Sequence, residues 1–283
     1  MQRRALFALS PGLGLLPRAQ AEPLEVVYPR VDERGEQAYG YRLLDLALRK
    51  SGQPYQLHMG EETLGPQGLR RALGSGAVDV MDMGTGPELE DRYEPVFFPI
   101  DLGLSGWRCL LVRHDRAAEV AAVRNLAGLR RFRVGQGPGW ADQRILEAAG
   151  LAVDTAPFKA LFRMLQGGRF DVLPLGIEEA QEQLQRHRAL APDCEVLERP
   201  LLHYRFARLY FVAPGRLALR DALQRGLESA FEDGSLRRLL AASPGFARWL
   251  QRTEPLRAQV LELPNPGLSA RFRAMPERYF ARL

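Results

Sequence analysis

Arg108 is the residue of this sequence whose chemistry is easiest to assign. A guanidinium is planar, permanently charged and able to meet both oxygens of a carboxylate at once, which suits it to gripping an anionic ligand. Its alternative role is structural, paired with an acidic neighbour such as Asp101. A second candidate is the loop Gly135-Gln136-Gly137-Pro138-Gly139-Trp140, which lies between a strand-like and a helical stretch. The backbone N–H groups of such a loop can face an anion at the start of the helix. The loop is not the dinucleotide fingerprint, because Trp140 takes the place of the third glycine and Pro138 intervenes. Trp140 suits a stacking role on a ligand and a core role equally. Asp142 either favours the positive end of the helix that follows or touches ligand. Tyr28 and Arg30, Met83-Gly84-Thr85-Gly86, Trp107, and Pro174-Leu175-Gly176 complete the set. They fall where loops from two lobes would converge beyond the carboxyl ends of strands, the usual ligand position in open α/β sheets.

Other chemistries find little support. There is no G-x-S-x-G elbow, no H-E-x-x-H and no Cys-His signature, so no catalytic residue is assigned. His58, His114, His187 and His203 are isolated from one another and from cysteine, so no metal site is assigned and no cofactor is expected. Cys109 and Cys194 make either one disulfide or two buried thiols. Arg3 and Arg4, the apolar run Ala5 to Leu16 and Ala19-Gln20-Ala21 have the order of a secretory signal, with cleavage expected after Ala21. The apolar run is too short and too broken by Pro11, Gly12 and Gly14 to span a bilayer. Removing residues 1 to 21 takes three arginines and no acid with it, and the formal excess falls from +5 to +2. Nucleic acid is therefore not expected as a partner, since the remaining basic residues are scattered among acids.

The elements that must position these residues come in two similar sets. Leu69 to Val80 reads LRRALGSGAVDV, and Leu161 to Val172 reads LFRMLQGGRFDV. Both are amphipathic stretches that stop at glycine and run into a short apolar strand. Upstream, strand-like 24–28, helical 41–50 closed by Gly52 and strand-like 55–59 match strand-like 132–134, helical 141–149 closed by Gly150 and strand-like 152–156. Each half reads β-α-β-α-β, the grammar of a mostly parallel sheet covered by helices, and two such lobes imply a cleft between them. Further on the sequence predicts a helix over 177–188, strands at 195–197 and 209–213, helices over 217–232 and 236–242, and then an irregular tail rich in Pro and Arg.

The run VDVMDMGTGPELEDRYEPVFFPIDLGLSGWRCLLVRHD resembles the end of the first lobe and the first hinge of periplasmic solute-binding proteins of family 3, the amino acid-binding class with the type 2 fold. NLAGLRRFRVGQGPGW resembles their entry into lobe 2, GGRFDVLPLGIEEA its last strand, and RDALQRGLESAFEDGSLRRLL their C-terminal helix pair. The resemblance implies a two-lobed α/β protein with lobe 1 over 22–106 and 207–283, lobe 2 over 107–206, and two hinge strands. It implies a periplasmic monomer that captures a small polar, carboxylate-bearing ligand for uptake through an ABC permease or for a membrane sensor. An enzyme of the dehydratase kind on the same fold is the alternative. Arg108, ten residues after Phe98, stands where these proteins place the arginine that grips the ligand carboxylate. The expected ligand-binding residues are Arg108, Tyr28, Gly84, Thr85, Gly137, Trp140, Asp142 and Pro174. Amino acid binders also place an acid near the end of the last lobe-2 strand, where this sequence has Pro174-Leu175-Gly176. Its nearest acids are Glu178 and Glu179, out of register.

Overall fold

A computed structural model describes residues 22–31, 33–251 and 259–283. The expected signal, residues 1 to 21, lies outside the described residues. The chain begins with β1 (Leu24–Arg30), α1 (Tyr39–Lys50), β2 (Tyr55–Thr63), α2 (Pro66–Ser75), β3 (Val80–Gly84), α3 (Pro87–Arg92) and β4 (Glu94–Pro95). It crosses through a 3-10 turn at Leu104–Gly106 into β5 (Trp107–Arg113), α4 (His114–Ala121), α5 (Leu126–Leu129), β6 (Arg133–Gln136), α6 (Ala141–Ala148), β7 (Ala152–Thr155), α7 (Phe158–Gln166), β8 (Val172–Gly176), α8 (Ala180–Arg186) and β9 (Cys194–His203). It returns through β10 (Arg208–Val212) to α9 (Leu217–Glu232), α10 (Ser235–Ala241) and α11 (Pro244–Leu250), then β11 (Val260–Glu262) and α12 (Ala270–Arg273).

The two echoed units lie in separate sheets. β1 and β2 pair in parallel, and β10 pairs antiparallel with β3 on one side and β4 on the other. The second lobe is one six-stranded sheet in the order β11-β9-β5-β8-β6-β7. In it β6 runs parallel to β7 and β8, while β5, arriving from the hinge, is antiparallel to β8 and β9.

The echoed aspartates have one structural job. Asp79 donates its N–H to the Val27 carbonyl at 2.9 Å and accepts the Val27 N–H on its carboxylate at 2.8 Å. Asp171 makes the same two bonds with Arg133, at 2.9 and 2.8 Å. Each carboxylate thus ties the start of the third strand of a β-α-β-α-β unit to the first strand, satisfying a backbone donor where regular pairing begins.

Helix α9 shows why the C-terminal helices fold onto lobe 1. Its buried positions Leu219, Ala222, Leu223, Gly226, Leu227 and Ala230 recur at three and four residues, one apolar stripe. That stripe packs on α1, whose Leu43, Leu44, Ala47 and Leu48 are buried in turn.

The tail departs from the sequence expectation. Among its described residues it holds α11, β11 and α12, and β11 adds to the edge of the lobe-2 sheet, parallel to β9, although everything after residue 207 was expected in lobe 1. The 177–188 helix is shorter than expected, since the chain turns at 177–179 before α8 starts at Ala180. Cys109 and Cys194 are buried thiols on strands β5 and β9, and Cys194 lies opposite Arg113. Four residues of extended strand separate Arg113 from Cys109, about 13 Å at the usual rise, too far for a disulfide. Burial pushes the Cys194 thiol up to about 11. Among the described residues, no helix is long and apolar enough to cross a membrane, and no group of three His, Cys, Asp or Glu is placed to hold a metal ion.

Candidate functional site

A cleft of about 820 Å³ lies between the two lobes. That volume is within the usual range for a small-molecule site. From lobe 1 it is lined by β3 and the start of α3, from lobe 2 by α6 and the turn after β8, and at the back by the hinge.

Arg108 enters the cleft from the second residue of β5, and its side chain is almost wholly buried. Its Nη2 lies 2.7 Å from Asp142 Oδ1, and its Nε donates to the Tyr204 hydroxyl at 2.7 Å. Tyr204 in turn donates to the same Asp142 oxygen. Three elements supply this triangle: the hinge strand β5, the residue that follows β9, and the first turn of α6, where a carboxylate also meets the positive end of the helix. Burial opposes the arginine's charge, and Asp142, then Tyr204, Glu178 and Glu179, overcome it, so the guanidinium is held firmly charged. Asp101, the sequence's alternative partner, is instead fully buried and accepts the Gly103, Ser105 and Arg208 N–H groups at 3.1, 2.9 and 3.3 Å. Burial raises its carboxyl above the ordinary range.

A second Arg–Asp–Tyr cluster faces it from lobe 1. Arg208, the first residue of β10, donates from Nε to Asp82 Oδ2 at 2.8 Å, and its Nη2 meets the same oxygen. Tyr28 donates to Asp82 Oδ1. Asp82 and Arg208 line the cleft as Asp142 and Arg108 do.

Glu178 is the unsettled member of the site. It follows β8 by two residues and lines the cleft floor near Arg108. Among the described residues its Oε2 is buried with no hydrogen-bond partner. Burial, reinforced by the Glu179 charge and opposed by Arg108, pushes the Glu178 carboxyl up to about 8. A buried acceptor without a donor is costly, and an incoming cationic N–H would relieve it.

Of the residues expected from sequence, Arg108, Gly84, Thr85, Trp140 and Asp142 line the cleft. Thr85 turns its hydroxyl away to Glu90 Oε1 at 2.5 Å, and Trp140 packs against Phe158 with ring centroids 5.6 Å apart. Tyr28, Gly137 and Pro174 are not among the lining residues. Tyr28 is buried behind Asp82. Gly137 lies beneath the Trp140 indole, so close that a Cβ there would overlap the ring, and its role is to let Trp140 lie down. Pro174 sits in the middle of β8 opposite Leu110, two residues short of the strand end. Arg30 and Trp107 also lie off the cleft, and Trp107 packs against His203 with ring centroids 4.2 Å apart.

Sequence reasoning left out Asp82, Tyr204, Phe206, Arg208 and the segment Asn265 to Leu268, all of which touch the cleft or its arginine. Arg208 had a signal, since it opens the returning hinge strand as Arg108 nearly opens the outgoing one. The tail had none.

No protein-family model matches the chain, and no curated protein matches it. Solved structures do. A probable amino-acid ABC transporter extracellular-binding protein from Bacillus subtilis is similar with a TM-score of 0.56 and 17% identity, over 79% of this chain and all of the other. An ancestral arginine-binding protein bound to arginine is similar with a TM-score of 0.54 and 17% identity, over 79% of this chain and 99% of that one. A histidine kinase sensor domain with similarity to periplasmic binding proteins gives 0.54 and 18%, over 84% of this chain and all of that one. These likenesses establish the fold, which is the two-lobed periplasmic binding protein fold.

Proposed function

We propose that this chain is an exported, monomeric solute-binding protein whose two lobes close on a small polar solute carrying both a carboxylate and an amino group. The observation that carries the reading is the juxtaposition of Arg108 with Glu178 on one cleft floor. The bonds to Asp142 and Tyr204 occupy Nε and Nη2 of the arginine, leaving its Nη1 edge to meet a carboxylate. The Glu178 carboxyl, on the cleft lining, is the acceptor for an ammonium. An ammonium brought there stabilises the carboxylate form of Glu178, so capture releases a proton when the pH lies below about 8. Asp82 and Arg208 offer a second pair of opposite charges from lobe 1 to the far end of the solute.

The loaded protein then serves an ABC permease or a membrane sensor in the periplasm. Both kinds of relative occur among proteins of this fold, the Bacillus transporter component and the kinase sensor domain. The site acts by binding, with no catalytic role assigned to its residues.

A thermal-shift screen of amino acids, organic acids, short peptides and polyamines tests the reading, because a solute that binds only the folded state raises its melting temperature. Solutes with both groups should raise it most. A response confined to polyamines, or to acids without an amino group, would overturn it.

A further inference from the structure

Glu178 reaches the cleft floor by folding back on its own strand. β8 ends at Gly176, and in the antiparallel register of β5 and β8 this residue lies directly opposite Arg108. Residues so paired project their side chains from the same face of the sheet, with Cβ atoms about 5 Å apart. Residue 176 has no side chain to project. The space it would fill is taken by the Glu178 carboxyl, since a Cβ on Gly176 would lie 2.7 Å from both Glu178 Cδ and Oε1 and would overlap Oε2. The chain turns here because the Ile177 N–H donates to the Trp107 carbonyl at 3.1 Å and the Glu179 N–H then donates back to the Gly176 carbonyl at 3.1 Å. An acid two residues beyond the strand thus stands beside Arg108 as an acid on the strand itself would.

The backbone of this turn is held by α11. Gly245 and Trp249 are four residues apart and share one face of that helix. The Trp249 indole N–H donates to the Ile177 carbonyl at 2.8 Å, and its ring is almost wholly buried. At Gly245 the helix approaches so closely that a Cβ would run into the Glu178 carbonyl. The helix is fixed in turn by Phe246, which packs against Tyr39 of α1 with ring centroids 5.7 Å apart. Both grips are on backbone carbonyls, so α11 acts on the carboxyl through the chain that carries it.

We infer that Gly176, Gly245 and Trp249 are positioning residues for Glu178, which put its carboxyl in the side-chain place of residue 176, beside Arg108. The inference rests on Glu178 serving the cleft as proposed above, while the geometry is the same whatever solute is taken.

The test follows the carboxyl itself and needs no solute. Carbon-13 in the glutamate carboxyl groups of the full chain reports each titration by NMR, and Glu178→Gln identifies the Glu178 signal. The charged groups that face it are Glu179, Arg108 and Asp101. In the parent protein the signal should titrate at about 8. Gly176→Ala fills the space under the carboxyl, and Trp249→Phe keeps a ring but removes the donor. Each should lower the midpoint by about one unit or more, toward the ordinary glutamate range. Gly226→Ala disturbs the packing of α9 on α1 and should leave the midpoint in place, so the readout separates positioning from a general loss of stability. Gly176→Asp combined with Glu178→Ala returns a carboxyl to the same space, and an aspartate signal above its ordinary range is expected there. An ordinary aspartate titration in that variant counts against the inference. A parent signal in the ordinary glutamate range, or a midpoint unmoved by Gly176→Ala and by Trp249→Phe, would overturn it, and either variant decides if the other fails to fold. A thermal-shift screen without an amino-bearing hit would instead sink the solute reading and leave the positioning of Glu178 untouched.

Discussion

Arg108 Nη2 lies 2.7 Å from Asp142 Oδ1, so the arginine best suited to a ligand carboxylate already holds a carboxylate of its own chain. Both side chains are nearly buried, and Tyr204 closes the triangle. Removing one member therefore leaves the others desolvated and unmatched.

Arg108→Met should destabilise the fold by about 3–5 kcal/mol, the scale for stripping one partner from a buried ion pair. Adding Asp142→Asn to it should restore part of that loss, with a coupling of about 1–3 kcal/mol. Urea denaturation of the two single variants, the double variant and the parent measures this. Additive losses would mean that the pair is not coupled in solution.

Asp142 also competes with an incoming carboxylate for the same guanidinium. Asp142→Asn keeps the shape and an acceptor for Tyr204 but removes the competing charge. A carboxylate-bearing solute identified by the thermal-shift screen should bind this variant about tenfold more tightly, equivalent to about 1.4 kcal/mol. Calorimetric titration decides it, and weaker binding would mean that Asp142 helps to hold the solute.

Glu178 gives the solute-free protein a distinct pH dependence. Its carboxyl is pushed up to about 8 in the folded state, above the ordinary glutamate range that it keeps when unfolded. Between those values the folded protein retains a proton that the unfolded chain has lost, so the Glu178 contribution to stability is present at low pH and falls as pH rises through about 8. Glu178→Gln abolishes that titration. The stability of the variant relative to the parent should rise steadily from pH 5 to pH 8.5 in denaturant melts, and parallel curves would contradict the burial of this carboxylate.

Gly226→Ala sets two effects against each other. Alanine favours a helix over glycine by about 1 kcal/mol. At Gly226, however, a Cβ would be driven into the Ala47 carbonyl of α1, backbone atoms that cannot swing aside, and overpacking of that kind costs about 1–3 kcal/mol. A net loss of stability is expected despite the better helix former, with a lower melting temperature as the readout. A neutral or stabilised variant would show that α9 can shift on α1.

Mass spectrometry of the exported protein should find Glu22 at its N-terminus, because Ala19-Gln20-Ala21 presents small residues before a polar start. Recovery of the chain beginning at Met1 from the cytoplasm would contradict both export and the periplasmic role.

The two-lobed architecture was legible in the sequence because local signals repeat. Asp79 and Asp171, each after a glycine-stopped helix, mark the same junction in both lobes, and the bonds to Val27 and Arg133 explain why aspartate stands there twice. Helix α9 runs from Leu217 to Glu232, the span its apolar spacing predicts. Arg108 was legible as an arginine at the head of a hinge strand, and its place in the cleft follows from that position. Its partner was not, because Asp142 is distant in sequence and only the folded sheet brings the first turn of α6 within reach of the Arg108 side chain. Pro174 was misplaced because a strand's end is set by pairing register, and β8 runs on to Gly176 opposite Arg108. The tail shows the limit most clearly. Three residues, Val260 to Glu262, carry too little local pattern to declare a strand, and their partner β9 lies in the other lobe. Short-range periodicity and turn chemistry are written in the chain itself. Which buried charges meet, and which distant segment lines a cleft, is decided only when surfaces remote in sequence compete for the same space and the same donors.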